Sequence, residues 1–198
     1  ISGGAAGIGE PQELKGDWLS GPKAAVRRIL NVATYFLMKS RSEIVGANGL
    51  YKELLKIAKL EERAPRLHLA GHSFGGRLVT AAANALGTYD LYRPRSMTLL
   101  QAAFSHNAFA RDFLPGRDGF FRSVIAKPKV DGPILVTHSR ADYANAYAYA
   151  VASRMSKVDS AVVGDANDRF GALGANGAQH TPESEGETLK KVADQRSY

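Results

Sequence analysis

Residues 66–80 read Arg66-Leu-His-Leu-Ala-Gly-His-Ser-Phe-Gly-Gly-Arg-Leu-Val-Thr80, and the rest of the chain is read outward from them. Leu67 to Ala70 form a short apolar run that reads as a strand. Leu78, Ala81, Ala82, Ala85 and Leu86 then recur at helical spacing, closed by Gly87 as a C-terminal cap. Between strand and helix, Gly71-His72-Ser73-Phe74-Gly75 fits a G-x-S-x-G pattern, in which a serine is held on a strained turn with its hydroxyl exposed. The glycines are expected to be steric requirements, because a Cβ on either side of such a turn would strike the adjoining strand or helix. The competing reading is a glycine-rich turn that binds a phosphate or only packs tightly.

Upstream, residues 1–20 are glycine-rich and polar, carry the only tryptophan, Trp18, and read as a loop or tail. Pro22 suits a first helical position, and Val26, Ile29, Leu30, Ala33, Phe36 and Leu37 predict a helix to about Ser40. Gly46 and Gly49 are expected to break it. Leu50, Leu54, Ile57 and Ala58 predict a second helix ending before Pro65.

Downstream, Ser96 to Ala103 and Pro133 to His138 read as further strands, and Ser160 to Gly164 as a fourth, short one. Residues 143–156 read as an Ala- and Tyr-rich helix. Ser184 with Glu187 resembles a capping box for a last helix ending near Ala193. The irregular stretch 104–132 holds Phe104, Phe109, Phe113, Phe120 and Phe121. It is either a lid or cap insertion beside the serine or a set of core side chains covering the sheet, and aromatic clustering is a packing signal first. Strands alternating with helices imply an α/β domain with a mostly parallel sheet over residues 1–198.

Bulk composition narrows the function classes. At 198 residues, with 44% hydrophobic and 23% charged residues, the chain is an ordinary globular domain large enough to bury a core. Cysteine is absent, which excludes disulfides and thiolate metal sites. The net charge of +7 raises nucleic-acid binding, but Lys and Arg are interleaved with Glu, as in Lys52-Glu53 and Glu61-Glu62-Arg63, and read as a solvated surface. No nucleic-acid partner and no membrane span are expected. The N-terminus lacks the basic and apolar regions of a signal peptide, which favours the cytoplasm.

A serine needs a base to take its proton and a third group to orient that base. Asp142 follows the strand ending at His138, in Leu-Val-Thr-His-Ser-Arg-Ala-Asp. His180 follows the fourth strand, in Gly-Ala-Gln-His-Thr-Pro-Glu, after a loop of 15 residues from Asp165 to Gln179. Loops after parallel strands open on the sheet's carboxyl edge, where ligands bind. The order Ser, Asp, His and these local segments resemble α/β-hydrolase-fold serine hydrolases over roughly residues 48–193. That resemblance implies Ser73 as nucleophile, Asp142 as orienting acid and His180 as general base. It makes the Phe74 N–H an oxyanion-hole donor, and His72 and His106 candidate substrate-binding residues. It also implies a small-molecule carboxylic ester as substrate and needs neither metal nor organic cofactor. Asp165 or Asp168 compete for the acid and His138 for the base; His68, inside the strand, reads as structural. The pair Asp165 and Asp168 lacks the ligand spacing of a calcium loop.

The chain departs from that family in one respect. The hydrolase fold sets several strands before the serine, whereas the clear elements before Ser73 are helical. Either the chain is a C-terminal portion of a longer hydrolase or its sheet is reduced. The exposed edge would then require absent sequence or self-association to cover it. A non-catalytic scaffold on the same fold is the alternative function.

Overall fold

In the computed structural model, described over residues 22–59, 65–86, 92–139 and 171–186, three parallel strands lie in the order in which the chain forms them. They are β1 (His68–His72), β2 (Ser96–Leu100) and β3 (Ile134–Thr137). Their register sets Leu69 beside Met97 and Met97 beside Ile134, with Gly71, Leu99 and Val136 in the next inward row. Period-two alternation therefore gathers the apolar residues on one face. Leu69, Met97 and Leu99 are buried there, with Ile134 and Val136 packed against them. The opposite face bears Leu135, 57% exposed, and Leu100, 38% exposed.

Helix α3 (Phe74–Ala85) covers the buried face. Its Val79, Ala81, Ala82 and Ala83 are small, and all are buried. Thr80 belongs in that interior because its hydroxyl donates to the Gly76 carbonyl at 2.7 Å, one turn back. A second helical layer lies outside α3. It comprises α1 (Pro22–Ile44), a π-helical turn (Val45–Leu50) and α2 (Tyr51–Lys59), whose Leu54 reaches the core.

This outer layer differs from the sequence expectation. Helix α1 runs past Ser40 to Ile44, and Gly46 and Gly49 continue the helical path instead of ending it. The reason is contact rather than propensity. A Cβ on Gly46 would lie 2.1 Å from the Leu78 carbonyl oxygen and 2.9 Å from the Ala81 Cβ, so its absence lets the π turn seat backbone against α3. Arg77 ties the same layers: Nη2 pairs with Glu43, and Nε donates to the Lys39 carbonyl at 3.2 Å.

The strands also end sooner or later than their apolar runs suggest. β1 extends through Gly71 to His72. β2 stops at Leu100 rather than Ala103, because Gln101 turns to φ 39° while its N–H bonds the Thr137 carbonyl at 3.2 Å. Within 104–132 only α4 (Arg122–Ala126) is regular. Phe104, Phe109 and Phe121 are buried against one another, with centroids 5.4 to 6.5 Å apart, and extend the core under the sheet's carboxyl edge. Phe120 is instead 62% exposed. A short helix, α5 (Leu173–Asn176), completes the described elements. The tail 1–20, the helix 143–156, the strand 160–164 and the helix from Glu187 lie outside the described residues. Among the described residues β1 pairs only with β2, and no helix is long and apolar enough to cross a membrane.

The glycines around the serine carry unequal steric loads, which corrects one expectation. A Cβ on Gly71 would meet the Gly75 carbonyl oxygen at 2.4 Å, and one on Gly76 the Ala102 Cβ at 2.7 Å, but one on Gly75 meets nothing within 4 Å. Gly71→Ala is therefore expected to destabilise by roughly 2 kcal/mol or more. Gly75→Ala should be neutral or stabilise by up to about 1 kcal/mol, because alanine loses less entropy in a helix. Urea denaturation of both variants checks this contrast.

Candidate active site

Ser73 stands between the last residue of β1 and the first of α3 with φ 52° and ψ −121°, outside the regions where side chains rest comfortably. Three backbone hydrogen bonds hold it. Its N–H donates to the Leu100 carbonyl at 3.1 Å, and its carbonyl accepts from Gly76 at 3.1 Å and Ala103 at 3.0 Å. The β1–β2 ladder thus carries on into the turn, and the chain leaving β2 returns to brace it. Such a conformation in a non-glycine residue costs on the order of 1–3 kcal/mol and persists only where its surroundings over-determine it.

The N–H of Phe74 belongs to the first turn of α3, where backbone donors have no carbonyl one turn earlier and the helix dipole favours negative charge. The Phe74 ring meets Tyr35 of α1 at 5.2 Å between centroids, and Tyr35 in turn packs against Ala172 and Ala175. The outer helix, the serine turn and the 171–181 segment therefore converge at one place.

That segment crosses the carboxyl ends of β2 and β3. Leu173 N–H bonds the Phe104 carbonyl at 2.8 Å, and Gly174 N–H the Ala102 carbonyl at 3.0 Å. The Gly174 carbonyl accepts from Ser139 at 3.0 Å. Gly171 passes so close to His106 that a Cβ would lie 2.4 Å from the ring. The segment then delivers His180, exposed and at φ 50°, with Nδ1 2.9 Å from Asn107 Oδ1. Two main-chain bonds fasten it to residues 106–111: Gln179 N–H to the His106 carbonyl and Arg111 N–H to the His180 carbonyl, each 2.9 Å. Three residues on, Glu183 forms a two-pronged ion pair with Arg122 at 2.5 and 2.8 Å, and Arg122 also donates to the Phe109 carbonyl. The aromatic stretch 104–126 is thus the base on which the histidine rests.

The other residues singled out from sequence fall in distinct places. His72 is exposed at the end of β1. His106 is only 1% exposed, with its Nδ1 3.2 Å from Asn176 Nδ2, so its ring backs the 171–176 loop from inside. His138 is exposed at the end of β3, and Gly177, at φ 70°, lies against its ring. His68 shares a 2.8 Å hydrogen bond with Ser96 at the start of the sheet. Asp142, Asp165 and Asp168 lie outside the described residues. Among the described residues no hydrogen bond joins the Ser73 hydroxyl to His180, and no cluster of His, Asp and Glu is placed to hold a metal ion. Sequence reading missed Asn107, Arg122 and Glu183. No periodicity links position 107 to 180 or 122 to 183, although Ser105 and Asn107 are a pair of turn-forming residues.

Compared with protein-family models, curated proteins and solved structures, the chain matches none of them.

Two measurements test this geometry. Ser73→Gly should be more stable than Ser73→Ala by about 1 kcal/mol, since both lack the hydroxyl and only alanine keeps the backbone strain; equal thermal midpoints would contradict it. The Arg122 hydrogen bonds hold the pKa of the Glu183 carboxyl at about 2, below its usual 4.5. A depressed carboxyl contributes stability in full above the unfolded value, and that contribution fades as pH falls from about 4.5 towards about 2. Because Glu183 is 45% exposed, the stability lost in Glu183→Gln should be about 1 kcal/mol or less near pH 7 and vanish near pH 2. Urea titrations across that range read the difference.

Proposed function

We propose that this chain is a serine hydrolase of the α/β-hydrolase type, cleaving carboxylic esters through an acyl-enzyme on Ser73. One observation carries the reading: a serine at φ 52°, pinned between a parallel strand and a helix N-terminus. Strain of this kind brings a serine out of the sheet and points the adjoining helix dipole at the reacting centre. Support comes from His180, held at the same carboxyl edge by the 106–111 turn.

In the reaction, Ser73 Oγ attacks the ester carbonyl carbon as its proton passes to His180. Negative charge gathers on the former carbonyl oxygen, where the Phe74 N–H is a stabilising donor. Collapse expels the alcohol, which takes the proton from His180. Water, activated by the same histidine, then releases the acid and restores the serine. Asp142 is the acid proposed from the resemblance, and His72 a proposed wall of the substrate site.

A second reading is a non-catalytic scaffold of the same fold that binds a ligand or protein partner. It is favoured by one observation, that no hydrogen bond joins the Ser73 hydroxyl to His180 among the described residues. A fluorophosphonate probe separates the two readings. A catalyst should take the label at Ser73, lose it in Ser73→Ala, and lose roughly 10³-fold or more in p-nitrophenyl ester hydrolysis in His180→Ala, while His138→Ala stays active. Folded protein that takes no label would overturn the catalytic reading.

A further inference from the structure

We infer that Asn107 is the positioning residue for His180, fixing the ring so that its outer nitrogen is the one that accepts the serine proton. This rests on the hydrolase reading of Ser73 and His180, and it gives Asn107 the Nδ1 contact that the family resemblance assigns to Asp142.

The amide oxygen of Asn107 lies 2.9 Å from His180 Nδ1. An amide oxygen only accepts, so Nδ1 must carry the hydrogen of a neutral imidazole, and the lone pair is left on Nε2. A base needs that tautomer in place before substrate arrives, because the alternative offers an N–H where a proton acceptor is required.

Asn107 is built to hold still. It is 4% exposed, its N–H donates to Ser105 Oγ at 3.2 Å, and its carbonyl accepts from Ala110 at 3.1 Å. Gly119 lies so close that a Cβ there would come within 2.1 Å of the Asn107 carbonyl oxygen. The histidine is held from its own side by the Arg111 and Gln179 main-chain bonds and, further on, by the Arg122–Glu183 pair. Both partners are therefore fixed relative to one 106–111 turn, which sets the ring angle with little freedom left to lose.

The chemistry differs from that of a carboxylate partner. A neutral amide selects the tautomer without adding charge, so it gives the imidazolium no ionic stabilisation. Replacing it with an isosteric carboxylate should therefore raise the pH below which activity is lost.

The test combines ring nitrogen NMR on the folded protein, His180 being assigned by comparison with His180→Gln, with ester kinetics. Wild type is expected to show His180 protonated on Nδ1 in its neutral form, and Asn107→Ala to show a mixture of tautomers. In the same variant kcat should fall by roughly 10- to 1,000-fold while KM changes by no more than about twofold. Asn107→Asp should recover most of the rate and shift the acidic limb of the pH profile upward by about one unit or more. A hydrogen bond with only a structural role would leave kcat and the pH limb unchanged, and either result overturns the assignment, as does a tautomer that stays the same in Asn107→Ala. So would loss of activity in Asp142→Asn with Asn107→Ala unaffected. Should Asn107→Ala fail to fold, the isosteric variant Asn107→Asp decides alone: an unmoved limb refutes the role. Wild type that takes no fluorophosphonate ends the hydrolase reading and the positioning role with it, while the NMR still reports whether the hydrogen bond exists.

Discussion

The peptide of Ser73 is the joint on which the described structure depends. Its N–H closes the ladder with Leu100, and its carbonyl takes the N–H of Ala103 as the chain leaves β2. With the Gly76 bond, these are what hold a non-glycine residue at φ 52°. Holding it fixes two directions at once. Helix α3 departs at the angle that lays Val79, Ala82 and Ala83 over the sheet, and the chain after β2 is drawn back toward the serine. Gly71 and Gly76 make room for this, one against the Gly75 carbonyl and the other against Ala102.

A second constraint follows from the first. Once Ala102 and Ala103 are fixed against the turn, the stretch after them becomes the template for the 171–181 segment, through Ala102, Phe104 and His106. The three buried phenylalanines stiffen that template, since edge-on aromatic packing at close centroid distances tolerates little sliding. Arg122 adds a polar tie at the far end, reaching both Phe109 and Glu183. The 73-residue chain separation between Asn107 and His180 is bridged by rigid local pieces rather than by a single strong contact.

Much of the sheet could be read from residue pattern, and the reasons are local. Strand periodicity and the glycine-flanked serine specify β1, the turn and α3, because each depends on steric rules that act over a few residues. The ends of elements were less legible. Gly46 looks like a helix breaker on propensity alone, yet packing against Leu78 and Ala81 makes a missing Cβ the favourable choice. The end of β2 at Leu100 is likewise set by a bond from Gln101 to the next strand.

The sequence by itself determined a parallel α/β arrangement and a serine held at a strand–helix turn, since these rest on spacing and on steric rules that act over a few residues. Only the tertiary structure decided that the 104–126 stretch supports the histidine, that His106 is buried behind a loop, and that Asn107 faces the His180 ring. Those facts depend on which carbonyls and N–H groups meet after folding. Hydrogen bonds between residues far apart in the chain are governed by the packing of everything between them, and no local pattern encodes that.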